Sequence, residues 1–223
     1  MQTQTFRDFD AFAESIRGVE SRMMLRNPQQ RFWKLSCVEL PGVQLQLGQL
    51  GSGNIAAGEF RTDGYMLYLP LTNSCEYSAN GVVVERGALA ILEPGCEFCI
   101  STEVGHDWCA VTVPTHVLPN RADLGRASSA SEQPTVRVTR ADRAVSNRIR
   151  TLVDQVIKAA AICTQFESSP AATSAATEVL KAVSKVFGQE KTATEHREGR
   201  PKLPRQEIVR CAMDVLEQRD GEL

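Results

Sequence analysis

The sequence predicts a mixed β+α protein, an antiparallel β-barrel or sandwich followed by an antiparallel pair of helices. Three observations carry that prediction. Residues 64–113 hold several short apolar runs, each bounded by turn residues such as Asn80-Gly81 and Pro94-Gly95. After residue 134 the apolar spacing becomes helical, first over Val145 to Ala160 and then over Ala176 to Phe187. A charged stretch, residues 189–204, then carries no large apolar residue before Leu203.

In chain order, Asp8 or Asp10 caps a short helix over residues 8–17, with Phe9, Phe12, Ala13 and Ile16 on one side and Gly18 at its end. Residues 19–25 read as a strand and Asn27-Pro28 as a turn. Strands follow at 31–39 and 42–48, joined at Leu40-Pro41-Gly42. Val43-Gln44-Leu45-Gln46-Leu47 alternates strictly, which predicts one buried face and one wet face. Residues 50–54 are a turn cluster, and 55–60 a strand ending at Asp63-Gly64.

The run Gly64 to Leu71 is apolar with no helical period. Asn80-Gly81 favours a two-residue hairpin, because both residues tolerate positive φ, and Val82-Val83-Val84 suits a pleated surface. Gly87 to Gly95 is a strand closed by a Pro-Gly turn; Glu97 to Ser101 and His106 to Val113 alternate. Residues 114–134 read as an irregular connection with one helical turn near 116–118. Thr139-x-x-Asp142 resembles a capping box for a helix of about five turns. Ser169-Pro170 opens a second helix that Gly188 closes. Beyond the linker, residues 205–218 form a third helix with Ile208, Val209, Ala212, Val215 and Leu216 on one side.

The 223 residues suffice for one substantial core and a second small unit, and the net charge of −2 speaks against a strongly basic nucleic-acid surface. No apolar run approaches a membrane span, and no export signal is visible at the start of the sequence. With seven scattered cysteines, the expectation is a cytoplasmic protein with free or buried thiols.

Candidate chemistry is sparse. Only three histidines are present, His106, His116 and His196, with no metal-ligand spacing among them. Cys96-x-x-Cys99, with His106 and Cys109 nearby, has zinc-like spacing, but it sits on a turn into a strand and reads as structural thiols. No nucleophile elbow or phosphate loop stands in its required context. The expectation is therefore no catalytic residue, no metal and no cofactor. Arg137, Arg140, Arg143, Arg148, Arg150 and Lys158 read as the wet side of a helix rather than a nucleic-acid surface.

The aromatics are the better lead. Trp33, Tyr65, Tyr68, Tyr77, Phe98 and Trp108 all fall in barrel strands, and their apolar bodies with single polar groups suit a small-molecule pocket. The competing reading is core filling. Tyr65 and Tyr68 have opposite strand parity, so both cannot point inward without a bulge.

Gly87-Ala88-Leu89-Ala90-Ile91-Leu92-Glu93-Pro94-Gly95 resembles the strand-turn of cupin-like, jelly-roll-like barrels, notably those of AraC/XylS-type transcription regulators. Where metal-binding cupins place a histidine, this chain has Cys96, Glu97 and Phe98, so the likeness is to the metal-free sensor branch. Arg205-x-x-Ile208-Val209-x-x-Ala212-x-x-Val215-Leu216 is similar to the first helix of that family's DNA-binding domain. Phe6-Arg7-Asp8-x-x-x-Phe12 looks like the start of one sensor subfamily.

The resemblance implies an effector-binding β domain (residues 1–134), a dimerising helix pair (135–188), a linker (189–204) and the first helix of a truncated DNA-binding domain (205–223). It implies a small-molecule effector, a homodimer, and DNA contact only through the part of that domain beyond this helix. Within it, the expected dimer face is Val145, Ile149, Leu152 and Val156 against Val179, Leu180 and Val183. Two rival readings stand beside it: a cupin-type small-molecule enzyme, and a dimerisation module with a filled barrel.

Overall fold

The computed structural model describes residues 2–26, 32–72, 75–85, 87–117 and 135–189. The turn expected at Asn27-Pro28, most of the 114–134 connection, the linker and the helix at 205–218 lie outside these residues.

The elements run β1 (Gln2–Phe6), α1 (Phe9–Glu14), β2 (Val19–Arg26), β3 (Trp33–Leu40), β4 (Val43–Leu50), β5 (Gly53–Phe60) and β6 (Gly64–Pro70). Then come β7 (Tyr77–Ala79), β8 (Val82–Val84), β9 (Leu89–Leu92), β10 (Glu97–Thr102), β11 (His106–Pro114) and β12 (Val136–Thr139). Two helices follow, α2 (Arg143–Ile162) and α3 (Pro170–Gln189), joined through a helical turn at Phe166–Ser168.

The strands form two sheets in which every pairing is antiparallel. One has seven strands, ordered β1-β3-β4-β11-β6-β9-β12; the other has five, ordered β2-β5-β10-β7-β8. They face each other over an apolar layer that includes Leu35, Leu50, Phe60, Ala90, Leu92, Phe98 and Trp108. The helix pair covers the opposite face of the larger sheet. There Leu45, Leu67, Leu89, Ile91 and Val111 meet Ile149, Val153, Val156, Val179 and Val183. The fold is thus a cupin-like two-sheet β body with helices docked on one side.

Both faces of the seven-stranded sheet are covered, and this corrects the reading of β4. Gln46 was expected on a wet face; it is fully buried between the sheets. Its carboxamide survives there because it is paired. Its Oε1 accepts from the Arg17 backbone N–H at 2.9 Å, and its Nε2 donates to the Arg17 carbonyl at 3.0 Å.

The local signals mostly translate into structure. Asn80 and Gly81 take φ of 47° and 76°, as the predicted hairpin turn requires. Gly95 has φ of 74°, and the Cys96 N–H donates to the Glu93 carbonyl at 3.1 Å, closing the Pro-Gly turn. Ser169 accepts from the Ala172 N–H at 3.3 Å, so Ser169-Pro170 does open α3, which continues through Gly188.

The start of α2 differs from expectation. Thr139 is the last residue of β12, and Asp142 is itself the cap, accepting from the Ala144 N–H at 2.6 Å. Pairing of Val136, Arg137, Val138 and Thr139 with β9 keeps this segment extended. Arg137 is therefore a strand residue, its Nε lying 3.1 Å from Glu93 Oε1.

Candidate functional site

The concave feature with the most structure around it is a cavity of ≈ 50 Å³ between the two sheets. Its walls follow from strand parity. From the larger sheet, Gln46, Met66, Tyr68, Leu92, His106, Trp108 and Ala110 face inward; from the smaller sheet, Ser21, Met23, Asn54, Ala56, Phe98 and Ile100 do so. Ile16, from the connection between α1 and β2, also lines it. The Gln46 clamp on the Arg17 backbone holds that connection in place, and the Arg17 guanidinium adds an ion pair to Glu39 at 2.7 Å.

Of the six aromatics singled out from the sequence, Tyr68, Phe98 and Trp108 line the cavity. Tyr77 lies beside it as core: its hydroxyl donates to the Asp107 carbonyl at 2.7 Å, and its ring meets those of Tyr68 and His106 edge-on. Trp33 packs against Phe9 at 5.2 Å between ring centres, away from the cavity. Tyr65 points to the other face of its sheet, where it meets Phe187 of α3 at 5.3 Å. The parity argument separating Tyr65 from Tyr68 therefore holds.

Sequence reasoning missed the polar members, Gln46, Asn54 and His106. His106 was legible only as the start of a strand, yet its place there turns it inward beside Trp108. Its Nδ1 lies 3.0 Å from the Val104 carbonyl oxygen. A carbonyl only accepts, so Nδ1 carries the hydrogen and Nε2 is left as an acceptor. Burial lowers the pKa of this imidazole, with the Val104 carbonyl and Asp107 opposing the shift, so the ring is neutral at pH 7.

The cysteine pair has structural surroundings. Cys96 is fully buried, and burial pushes its thiol up to about 11; burial also raises Cys99. Both are protonated at neutral pH, which makes them poor nucleophiles and poor ligands. Cys109, buried against the helices, is pushed up to about 12 by the same cause. Among the described residues no group of three or more His, Cys, Asp or Glu is placed to hold a metal ion, and no helix is long and apolar enough to cross a membrane.

The expected dimer face is occupied within the chain. Ile149, Leu152, Val156, Val179 and Val183 are all buried in the cluster that joins the helices to the larger sheet. Only Val145 and Leu180 remain partly exposed. They border an outward groove of ≈ 600 Å³ between α2 and α3, rimmed by Arg148, Glu178 and Lys181. Glu178 pairs with Arg148 of α2 across that rim at 3.2 Å and with Lys181 of its own helix at 3.0 Å.

A two-sheet β body carrying an antiparallel helix pair is the class of protein this architecture defines. Among solved structures, it resembles the crystal structure of the AraC-like transcriptional activator CuxR, with a TM-score of 0.59 at 10% identity over 100% of this chain and 81% of that one. At that identity the likeness is one of fold alone. A putative glyoxylate-induced protein from Pseudomonas aeruginosa also matches, at 11% identity over 53% of this chain and 52% of that one, but its TM-score of 0.24 carries no argument. No family model matches the sequence, and no curated protein does.

Proposed function

We propose that this chain is the sensing and dimerising part of an AraC/XylS-type transcription regulator. A small molecule between the sheets biases the packing of β body against helices, and the helix pair passes that bias to a DNA-binding region following the linker. The observation that carries this reading is the element order. A β body followed by a docked helix pair is the order found here, and over 100% of the chain the fold is similar to that of the AraC-like transcriptional activator CuxR. Dimerisation falls to the outward groove, where Val145 and Leu180 keep apolar surface and the Arg148–Glu178–Lys181 cluster gives polar complementarity. Transcription control rather than catalysis is the activity proposed, in the cytoplasm, with DNA contacted outside the β body.

Two measurements test this together. Sedimentation of the purified chain at high micromolar concentration is expected to give twice the chain mass, and a thermal-shift screen of amines, aldehydes, sugars and aromatic acids to give saturable stabilisation. A strict monomer that binds nothing would overturn the reading. Stoichiometric iron, zinc or manganese by elemental analysis would favour the cupin-type enzyme instead. One observation favours the remaining rival, a dimerisation module with a filled interior. The cavity of ≈ 50 Å³ is well below the roughly 300 Å³ of a typical ligand site. On the sensing reading the cavity must widen when it is occupied.

A further inference from the structure

We infer that the cavity between the sheets takes an uncharged, predominantly apolar small molecule carrying a hydroxyl group, oriented by donation to the free Nε2 of His106. The inference rests on the sensing role proposed above and specifies its ligand.

Charge is excluded by the walls. No Asp, Glu, Lys or Arg lines the cavity. An ion entering would lose its hydration and meet no counter-charge, a cost of several kcal/mol even after relaxation. The lining is mostly ring and aliphatic surface, from Trp108, Tyr68, Phe98 and Ile100, with Ile16 added from the α1–β2 connection. That surface rewards an apolar or aromatic body.

Polarity in the cavity is narrow and mostly spent. The Gln46 carboxamide is engaged through both its atoms by the Arg17 backbone. His106 is different. Nδ1–H is committed to the Val104 carbonyl, and no hydrogen bond to Nε2 is found among the described residues. The ring is held edge-on by Tyr77 at 5.3 Å and 88°. A neutral, fixed acceptor in an apolar site selects a donor. On the facing sheet, the Asn54 side chain meets Thr102 Oγ1 through its oxygen at 3.5 Å, while its amide nitrogen has no hydrogen-bond partner among the described residues. One acceptor and one donor suit a hydroxyl, which can serve both.

Size is met by adjustment. A cavity of ≈ 50 Å³ holds only a few water-sized groups. Met23 and Met66 are unbranched and can re-pack, and Ile16 sits on a connection rather than in a ladder, so these three side chains are where the site widens.

The test uses three probes with one ring and different heads: benzyl alcohol, toluene and benzoate at pH 7.5. Each is titrated into the full chain while the unfolding temperature is followed. Benzyl alcohol is expected to stabilise saturably and to bind about five- to ten-fold tighter than toluene, the worth of one net hydrogen bond. Benzoate is expected to give no shift. In His106→Phe, which keeps the ring but loses Nε2, the alcohol and toluene should bind alike. Ala110→Leu, or Ala110→Val if the larger residue prevents folding, fills the cavity and should abolish both shifts.

Benzoate binding as tightly as the alcohol, with the shift lost in the filled variant, would overturn the ligand class and leave the sensing role standing. An alcohol preference that survives His106→Phe would overturn the assignment to Nε2. No saturable shift from any of the three on a folded protein would overturn the inference; the sensing role would fall with it only if sugars and amines also fail in the same assay.

Discussion

Gly48 shows how one absent side chain shapes the cavity. It pairs with Trp108 across β4 and β11, and a Cβ there would lie 2.3 Å from the indole Cε2. The indole is rigid, buried and flanked by Tyr68 at 5.8 Å between ring centres, so it cannot simply swing aside. Gly48→Ala is therefore expected to cost about 1–3 kcal/mol in denaturant unfolding, the range for overpacking, and to shift the Trp108 fluorescence maximum. His106 makes a second prediction at this scale. Its folded-state pKa is lowered, chiefly by burial, so at acidic pH the unfolded chain takes up the proton first. Its contribution to stability is fully present above the ordinary histidine value of about 6.5 and is lost as pH falls below it, at a slope of at most about 1.4 kcal/mol per pH unit. Unfolding temperatures measured from pH 7.5 to 5.5 should fall more steeply for the wild-type chain than for His106→Phe. Parallel curves would mean that His106 is already solvated in the native state.

At the scale of elements, the two helices separate two roles that the sequence merges. Leu152 is buried between α2 and the larger sheet, whereas Leu180 borders the outward groove. Leu152→Ala is expected to cost about 2–5 kcal/mol in denaturant unfolding, and Leu152→Asp to unfold the chain, because both strip or charge an intrachain core. Leu180→Asp should leave the unfolding midpoint nearly unchanged and halve the sedimenting mass at high micromolar concentration. An unchanged mass would clear the groove of a dimer role.

An apolar stripe announces that a helix face is buried, not what buries it, and here the covering partner is the chain's own sheet. The same limit hid Gln46. Strict alternation along β4 located two faces correctly, but only the tertiary packing makes the polar one an interior face, with the Arg17 backbone as its partner. Strands bounded by turn chemistry were legible: β6, the Asn80-Gly81 hairpin and the Pro94-Gly95 turn sit where local residues place them. β1 and β12 were not, because each is short and owes its extended form to an edge pairing far away in sequence, with β3 and β9. Three of the cavity's lining residues, Tyr68, Phe98 and Trp108, were readable as aromatics on strands. Its polar members were not, since His106 and Asn54 acquire meaning only through the opposite sheet.

Across the whole molecule, the connection between β body and helices is itself a strand. β12 closes the edge of the larger sheet beside β9 and leads within a few residues into α2. Glu93, just after β9, holds that strand twice: Oε1 lies 3.1 Å from Arg137 Nε, and Oε2 accepts from the Thr135 N–H at 3.1 Å. A second tie comes from Ser146 in the first turn of α2, whose buried hydroxyl donates to the Gly87 carbonyl at 3.2 Å. Leu92 lies on the same short strand as Ile91 but on its other side, one lining the cavity and one packing under the helices. Spreading of the sheets at Leu92 would therefore be expected to displace β12 and the start of α2, the coupling that the proposed sensing role requires. Glu93→Ala removes one end of the link. The Arg137 pair is partly buried and worth about 1 kcal/mol, which corresponds to roughly five-fold faster local opening. Native-state hydrogen exchange read by mass spectrometry should show that acceleration in residues 136–139 and the first turn of α2, with β2 and β5 unchanged. An equal acceleration everywhere would mean that Glu93 supports global stability alone, and that the β body and helices are not joined through this strand.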